Sequence, residues 1–189
     1  RRDARRGCLR AHRGPGSLTL FELAAYRDAW LAVTAGDPSL LESYAARHPD
    51  APWYLAQAVD KVKRRYPERG SGLPHWDRRL LHHVRAQGPK ASAVLGATIA
   101  EMNSEADLVG DLYTFSRLVR MASPASPHPL VDLTGNRQQI GRTEVQLTGF
   151  GEQVLDGAQS AWPANPIDEW AGGVHLSSDN HLWFNDEGR

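Results

Sequence analysis

One cysteine, Cys8, stands in the whole chain, so no intrachain disulfide can staple the fold and a disulfide scaffold is excluded. The same scarcity suggests a reducing compartment, with the cytoplasm as the default. No apolar run approaches the roughly 20 residues that a membrane helix needs, and the arginine-rich start is not followed by the apolar stretch of a signal peptide. The sequence therefore gives no sign of membrane insertion or export. Net charge is missing as well: 22 Lys and Arg offset 22 Asp and Glu, and with 41% hydrophobic residues the composition excludes disorder and collagen. Absent too are a phosphate-cradling glycine loop and a P-loop lysine, which leaves nucleotide hydrolysis without support and implies no cofactor. What remains is 189 residues of ordinary globular makeup, able to bury roughly 70% of the unfolded surface without metals or cross-links. The chain starts at Arg1 without a methionine, which suggests a piece of a longer protein.

The zero net charge hides an asymmetry. Residues 1–13 hold six arginines against Asp3, and residues 1–17 are expected to form a basic, disordered segment. Lys61 to Lys90 holds nine basic and two acidic residues, whereas Glu101 to Arg189 holds five basic and thirteen acidic ones. These stretches carry about +7 and −8, a dipole along the sequence.

Helical periodicity dominates from Thr19 onward. Thr19 and Glu22 have capping-box spacing, Leu23, Tyr26, Trp30 and Val33 recur at helical intervals as an inward face, and Gly36 is expected as a left-handed stop. Asp37-Pro38 opens a second helix with Leu40, Leu41 and Tyr44, and Leu55, Val59, Val62 and Tyr66 mark a third that Pro67 ends. Three further helices are expected over 74–87, 89–102 and 105–122, the last opened by Ser104 and Asp107 and bearing Glu105, Asp107 and Asp111 in its first turns. The period then changes to two at Leu130–Leu133 and Thr143–Leu147, a hairpin with a long polar tip. A short helix follows to Asp156, and a last hairpin is expected to pair Gly173–Leu176 with His181–Phe184.

The class is thus mostly α with small β hairpins, an α+β protein. Residues 18–72 make a helical subdomain, 73–157 a winged helix-turn-helix-like core with 130–147 as the wing, and 158–189 a C-terminal hairpin tail packed on that core. In such a core the third helix normally enters a major groove.

Four segments then fall in a single order: Pro67–Leu73, Leu108-Val109-Gly110-Asp111, Val145-Gln146-Leu147-Thr148 with Gly151, Val154, Leu155 and Gly157, and Ile167–Leu176. The last has the pattern Asp-x-Trp-x-Gly-Gly-x-His-Leu, and together they resemble the C-terminal part of the bacterial family called domain of unknown function 1835. The resemblance spans about Leu18 to Asp186. It implies a mostly helical part that ordinarily follows an α/β domain, which is absent from this sequence, and it implies no established activity.

Candidate chemistry is sparse. His82-His83 and His75 lack a carboxylate or cysteine at i+3 or i+4, so no metal site is expected. His175 lies seven residues after Asp168, and the two can do acid–base work if they meet across a turn; the structural reading is that Trp170 packs inward, Gly172 and Gly173 permit close backbone approach and His175 makes a structural hydrogen bond. Nucleic acid, if bound, would have to meet Lys61, Lys63, Arg64, Arg65, Arg78, Arg79, Arg85 and Lys90, because the acids opening the third core helix repel phosphate and only Arg117 and Arg120 follow them. The leading functional expectation is a non-catalytic binding module in DNA-linked regulation. The alternatives are a scaffold domain contacting the missing α/β domain or another protein through the basic helices, and an enzyme using His175 and Asp168.

Overall fold

The computed structural model describes residues 18–107, 109–178 and 185; the basic segment 1–17 and the strand expected at His181–Phe184 lie outside them. Helix α1 (Leu20–Thr34) opens as its sequence requires: Thr19 Oγ1 accepts from the Glu22 amide at 3.1 Å, and Glu22 Oε2 accepts from the Thr19 amide at 2.9 Å. A capped start of this kind contributes about 1 kcal/mol. The chain leaves the helix through extended Ala35 (φ −68°), and Gly36 is not left-handed. Helices α2 (Ser39–Arg47) and α3 (Trp53–Lys63) complete a three-helix layer.

The face that α1 buries is not the one its large residues predict. Ala25, Ala29 and Ala32 point inward, because these small side chains let α2 and α3 approach closely and let the fully buried Tyr44 ring lie beside the α1 backbone. The Tyr44 hydroxyl donates to the Ala25 carbonyl at 3.0 Å. Leu23 and Trp30 point outward.

A second core joins α4 (His75–Gln87), α5 (Ala91–Ser104), α6 (Asp111–Met121), β1 (Val131–Gly135), β2 (Thr143–Leu147) and α7 (Gly149–Leu155). Strands β1 and β2 pair antiparallel from Val131↔Leu147 to Gly135↔Thr143, so Val131, Leu133 and Val145 share the buried face. One bridge, Lys90↔Glu144, with the Val145 amide donating to the Pro89 carbonyl at 2.7 Å, adds the stub of a third strand ahead of α5.

Helix α6 begins at Asp111, six residues later than expected. Helix α5 runs through Ser104, whose hydroxyl donates to the Glu101 carbonyl at 2.7 Å, so Ser104 closes a helix and does not cap the next one. Glu105 and Asp107 consequently lie in the connection, around Ala106 at φ 51°, and Asp111 alone of the three acids stands in the first turn of α6.

After the short α8 (Ala161–Ala164), β3 (Asp168–Ala171) pairs antiparallel with β4 (Val174–Ser177) around Gly172-Gly173. The hairpin therefore forms one strand upstream of the expected pairing. Its buried residues Ala171, Val174 and Leu176 join Ala29, Leu41, Tyr44, Val59 and Tyr66 in the α1–α3 core, not the 73–157 core. The Tyr66 hydroxyl donates to the Ala171 carbonyl at 3.1 Å, and burial pushes its pKa up to about 12. The architecture is mostly helical with two small antiparallel hairpins, α+β, and no helix among the described residues is long and apolar enough to cross a membrane.

Candidate functional site

The fold closes the charge dipole of the sequence onto itself. Lys61 Nζ, at the end of α3, donates to the carbonyls of Glu105, at 2.6 Å, and Ala106, while Arg64 pairs with the Glu105 carboxylate. Lys63 lies 2.8 Å from Asp60, and Arg65 reaches Asp107 at 2.6 Å. On α4, Arg78 meets Glu68 at 2.5 Å, Arg79 meets Glu101 at 2.6 Å, and Arg85 bridges Glu152 and, at 2.8 Å, Asp156. Lys90 reaches Glu144 at 2.6 Å. Each of the eight cations named from the sequence thus has an acceptor inside the chain, most of them from the acidic half. Each pair offsets part of its cation's charge locally.

Asp107 is the most buried of these acids. It accepts from both Arg65 Nη atoms and, at 2.6 Å, from Trp76 Nε1. Burial pushes its pKa up, but the Arg65 and Trp76 hydrogen bonds outweigh burial and hold it below the usual carboxylate range. The same contest, won by His75 and Arg78 at Glu68 and by Arg79 and His83 at Glu101, lowers those two pKa values. A carboxylate lowered in the folded state stabilises above its unfolded pKa and loses that contribution as pH falls through the folded value. The melting temperature is therefore expected to hold from neutrality to about pH 5 and to fall steadily below about pH 4. A thermal melt series checks this, with Asp107→Asn expected to show a shallower acid limb.

Arg117, one of the two arginines that the sequence places late on the third core helix, is 13% exposed between Asp77 and Glu169. Its Nε donates to Asp77 Oδ1 at 2.9 Å, and Nη1 donates to Glu169 Oε2 at 2.5 Å. Burial opposes its charge, yet the Asp77 and Glu169 carboxylates raise its pKa further above the ordinary arginine value. Arg120 shares Glu169 at 3.2 Å, and the cluster lines a cavity of about 80 Å³ with Trp162 and Asn165. Glu169 thereby ties the C-terminal hairpin to α6.

His175 and Asp168 do meet: Nε2 lies 2.7 Å from Asp168 Oδ1 on one face of the β3–β4 hairpin. The Asp168 side chain is 85% exposed, so the carboxylate sits in water and not in the dry setting that strengthens general acid–base work. Trp170 corrects the sequence reading. It is 69% exposed and stacks on His175 with ring centroids 4.8 Å apart. The inward pleat belongs to Ala171 and, on β4, Val174 and Leu176. No group of three or more His, Cys, Asp or Glu among the described residues is arranged to hold a metal ion. No family model matches the chain, and no curated protein matches it.

Two surface features escaped the sequence reading. The first is the outward face of α1, where Leu20, Leu23, Trp30 and Leu31 are exposed, joined through the Tyr26–Tyr54 hydroxyl contact to exposed Trp53 and Tyr54 of α3. The signal was present: 20, 23, 27, 30 and 34 follow a 3-4-3-4 spacing opposite Ala25, Ala29 and Ala32. The second is the tip of the β1–β2 hairpin. Among the described lysines and arginines, the side chains of Arg137 and Arg142 make no ion pair or hydrogen bond, and both are exposed.

Proposed function

We propose that the chain is a non-catalytic protein-binding module with a winged-helix core, and that the outward face of α1 is its docking element. One observation carries this reading: the cations of Lys61 to Lys90 are engaged by the protein's own acceptors, whereas Leu20, Leu23, Trp30 and Leu31 stand exposed on one helix. A contiguous exposed apolar patch of this kind marks an interaction site. The order α4, α5, α6, β1, β2, with Lys90 bridging Glu144 between the first two helices, supports the winged-helix assignment. Such a fold leaves its use open, and the third helix favours protein. Its exposed positions include Leu112, Tyr113, Ser116 and Arg120, and Glu169 holds the arginine. A place in the family called domain of unknown function 1835 belongs to the same proposal, with an α/β domain as a candidate partner and the cytoplasm as the location.

The test is a photo-crosslinker placed at Leu23 of the protein in its native cell. A discrete protein adduct is expected there and none from the same group at Asn103, exposed on α5. No adduct at position 23, or equal adducts at both, overturns the reading.

Arg137 and Arg142 favour a second reading, nucleic-acid contact through the wing, since Asn136, Gln138 and Gln139 beside them are residue types that read a minor groove. Two free arginines neutralise few phosphates. Duplex DNA titrated at two salt concentrations should then bind with a log–log slope no steeper than about −2, at roughly −0.9 per phosphate, and joint Arg137→Ala and Arg142→Ala should abolish it. A slope much steeper than that would return the basic helices to the interface.

A further inference from the structure

Helix α1 carries two faces of opposite kind. Ala25, Ala29 and Ala32 are buried, and on the other side Leu20, Leu23, Arg27, Trp30 and Thr34 stand at i, i+3, i+7, i+10 and i+14. This is the a/d spacing of a helix that packs against another helix, sustained over two heptads. Leu20 is 87% and Trp30 68% exposed, and nothing among the described residues occupies the seam. The one charge in it is Arg27, whose guanidinium has a single described partner, Asp28 next to it on the same helix, at 2.9 Å.

The pattern discriminates between the two orientations in which this helix can pair with its own copy. A parallel pairing of two such helices sets a against a and brings Arg27 onto a second Arg27, which repels. An antiparallel pairing sets a against d, and in the register whose twofold axis passes between Asp28 and Ala29 it lays Arg27 on the partner's Trp30 and Trp30 on the partner's Arg27, with Leu23 opposite the partner's Thr34. A cation over an indole face is an attractive contact, and here symmetry supplies it twice. The seam is therefore complementary to itself. We infer that the outward face of α1 binds α1 of a second copy of this chain, antiparallel, through reciprocal Arg27–Trp30 contacts. The inference deepens the protein-binding reading above and rests on it. Trp53 and Tyr54 on α3 widen the patch beyond the two heptads.

Native mass measured over a dilution series should pass from 20.9 kDa to twice that value as concentration rises. Leu23→Asp should remain monomeric with an unchanged circular dichroism spectrum. Arg27→Ala and Trp30→Ala should each weaken the dimer about tenfold or more, since each removes both symmetry-related contacts. Register is read by disulfide trapping in a Cys8→Ser background: a mixture of the Arg27→Cys and Trp30→Cys variants should give the mixed cross-link faster than either variant links to itself. Faster self-linking at position 27 means a parallel or different register and overturns the inference. So does a wild-type monomer at every concentration, and an apolar dye then tells the two levels apart. Dye binding that falls in Leu23→Asp leaves the face open to another protein, such as an α/β domain, with the protein-binding reading intact. Dye binding equal in both proteins removes that reading as well.

Discussion

Arg117→Ala is expected to destabilise the fold by about 3–5 kcal/mol, the usual loss when one partner of a buried ion pair is removed. The size follows from what is left behind. Asp77 is 3% exposed, and without the guanidinium its carboxylate is left buried with no charge partner on α6. Glu169 loses its shortest link to α6 at the same moment, although Arg120 still reaches it at 3.2 Å. Arg120→Ala makes the internal comparison, because its half-exposed side chain lies on the rim of the same cluster and is expected to matter by less than about 1 kcal/mol. Urea denaturation of the two variants decides the matter. Equal losses would mean that the cluster is wet and that Arg117 adds no more than a surface pair.

The difference between those two arginines was not legible in the sequence. Both sit on one amphipathic helix three residues apart, and periodicity locates the helix without saying which neighbour covers its flank. That neighbour is Glu169, which comes from β3, some fifty residues later. The basic stretch Lys61 to Lys90 shows the same limit from the other side. A count of charges along the chain takes the eight cations apart from Glu68, Glu101, Glu105, Asp107, Glu144, Glu152 and Asp156, which the fold brings to them. Local signals fared better. The capping box at Thr19 and the end of α4 at Gly88 follow from cap chemistry, and β1 and β2 fall where the period changes to two, whereas α3 ends at Lys63, short of the Pro67 stop that the sequence suggests. Where two local signals compete, the sequence alone does not rank them. In α1 the large residues and the alanines each form a consistent face, and only the close approach of α2 and α3 selects the alanines.

Gly172-Gly173 is the other such competition. The pair is a site of close backbone approach, but a two-glycine loop flanked by alternating residues is also a hairpin turn, and β3 and β4 pair around it. The close approach is severe at the second glycine. Its amide donates to the Val33 carbonyl at 2.9 Å, and a Cβ there would lie 1.9 Å from the Thr34 carbonyl oxygen and 2.7 Å from that of Ala35. Both obstacles are backbone at the end of α1, so no rotamer change relieves them. Gly173→Ala is expected to cost about 3 kcal/mol, the upper end for overpacking. The loss should be local at first, with the hairpin lifting from α1 and exposing Ala171, Val174 and Leu176. Hydrogen exchange should therefore quicken at the β3 and β4 amides before it does in α4 or α5. Gly36→Ala is the contrasting variant, two residues beyond the same helix end. No atom lies within 4 Å of its Cβ position and its φ is not positive, so the substitution removes freedom from the unfolded chain alone and should stabilise by up to about 1 kcal/mol. A clear loss at Gly36 would show that the left-handed stop read from the sequence exists in solution, and with it a different exit from α1 and a different seat for the hairpin.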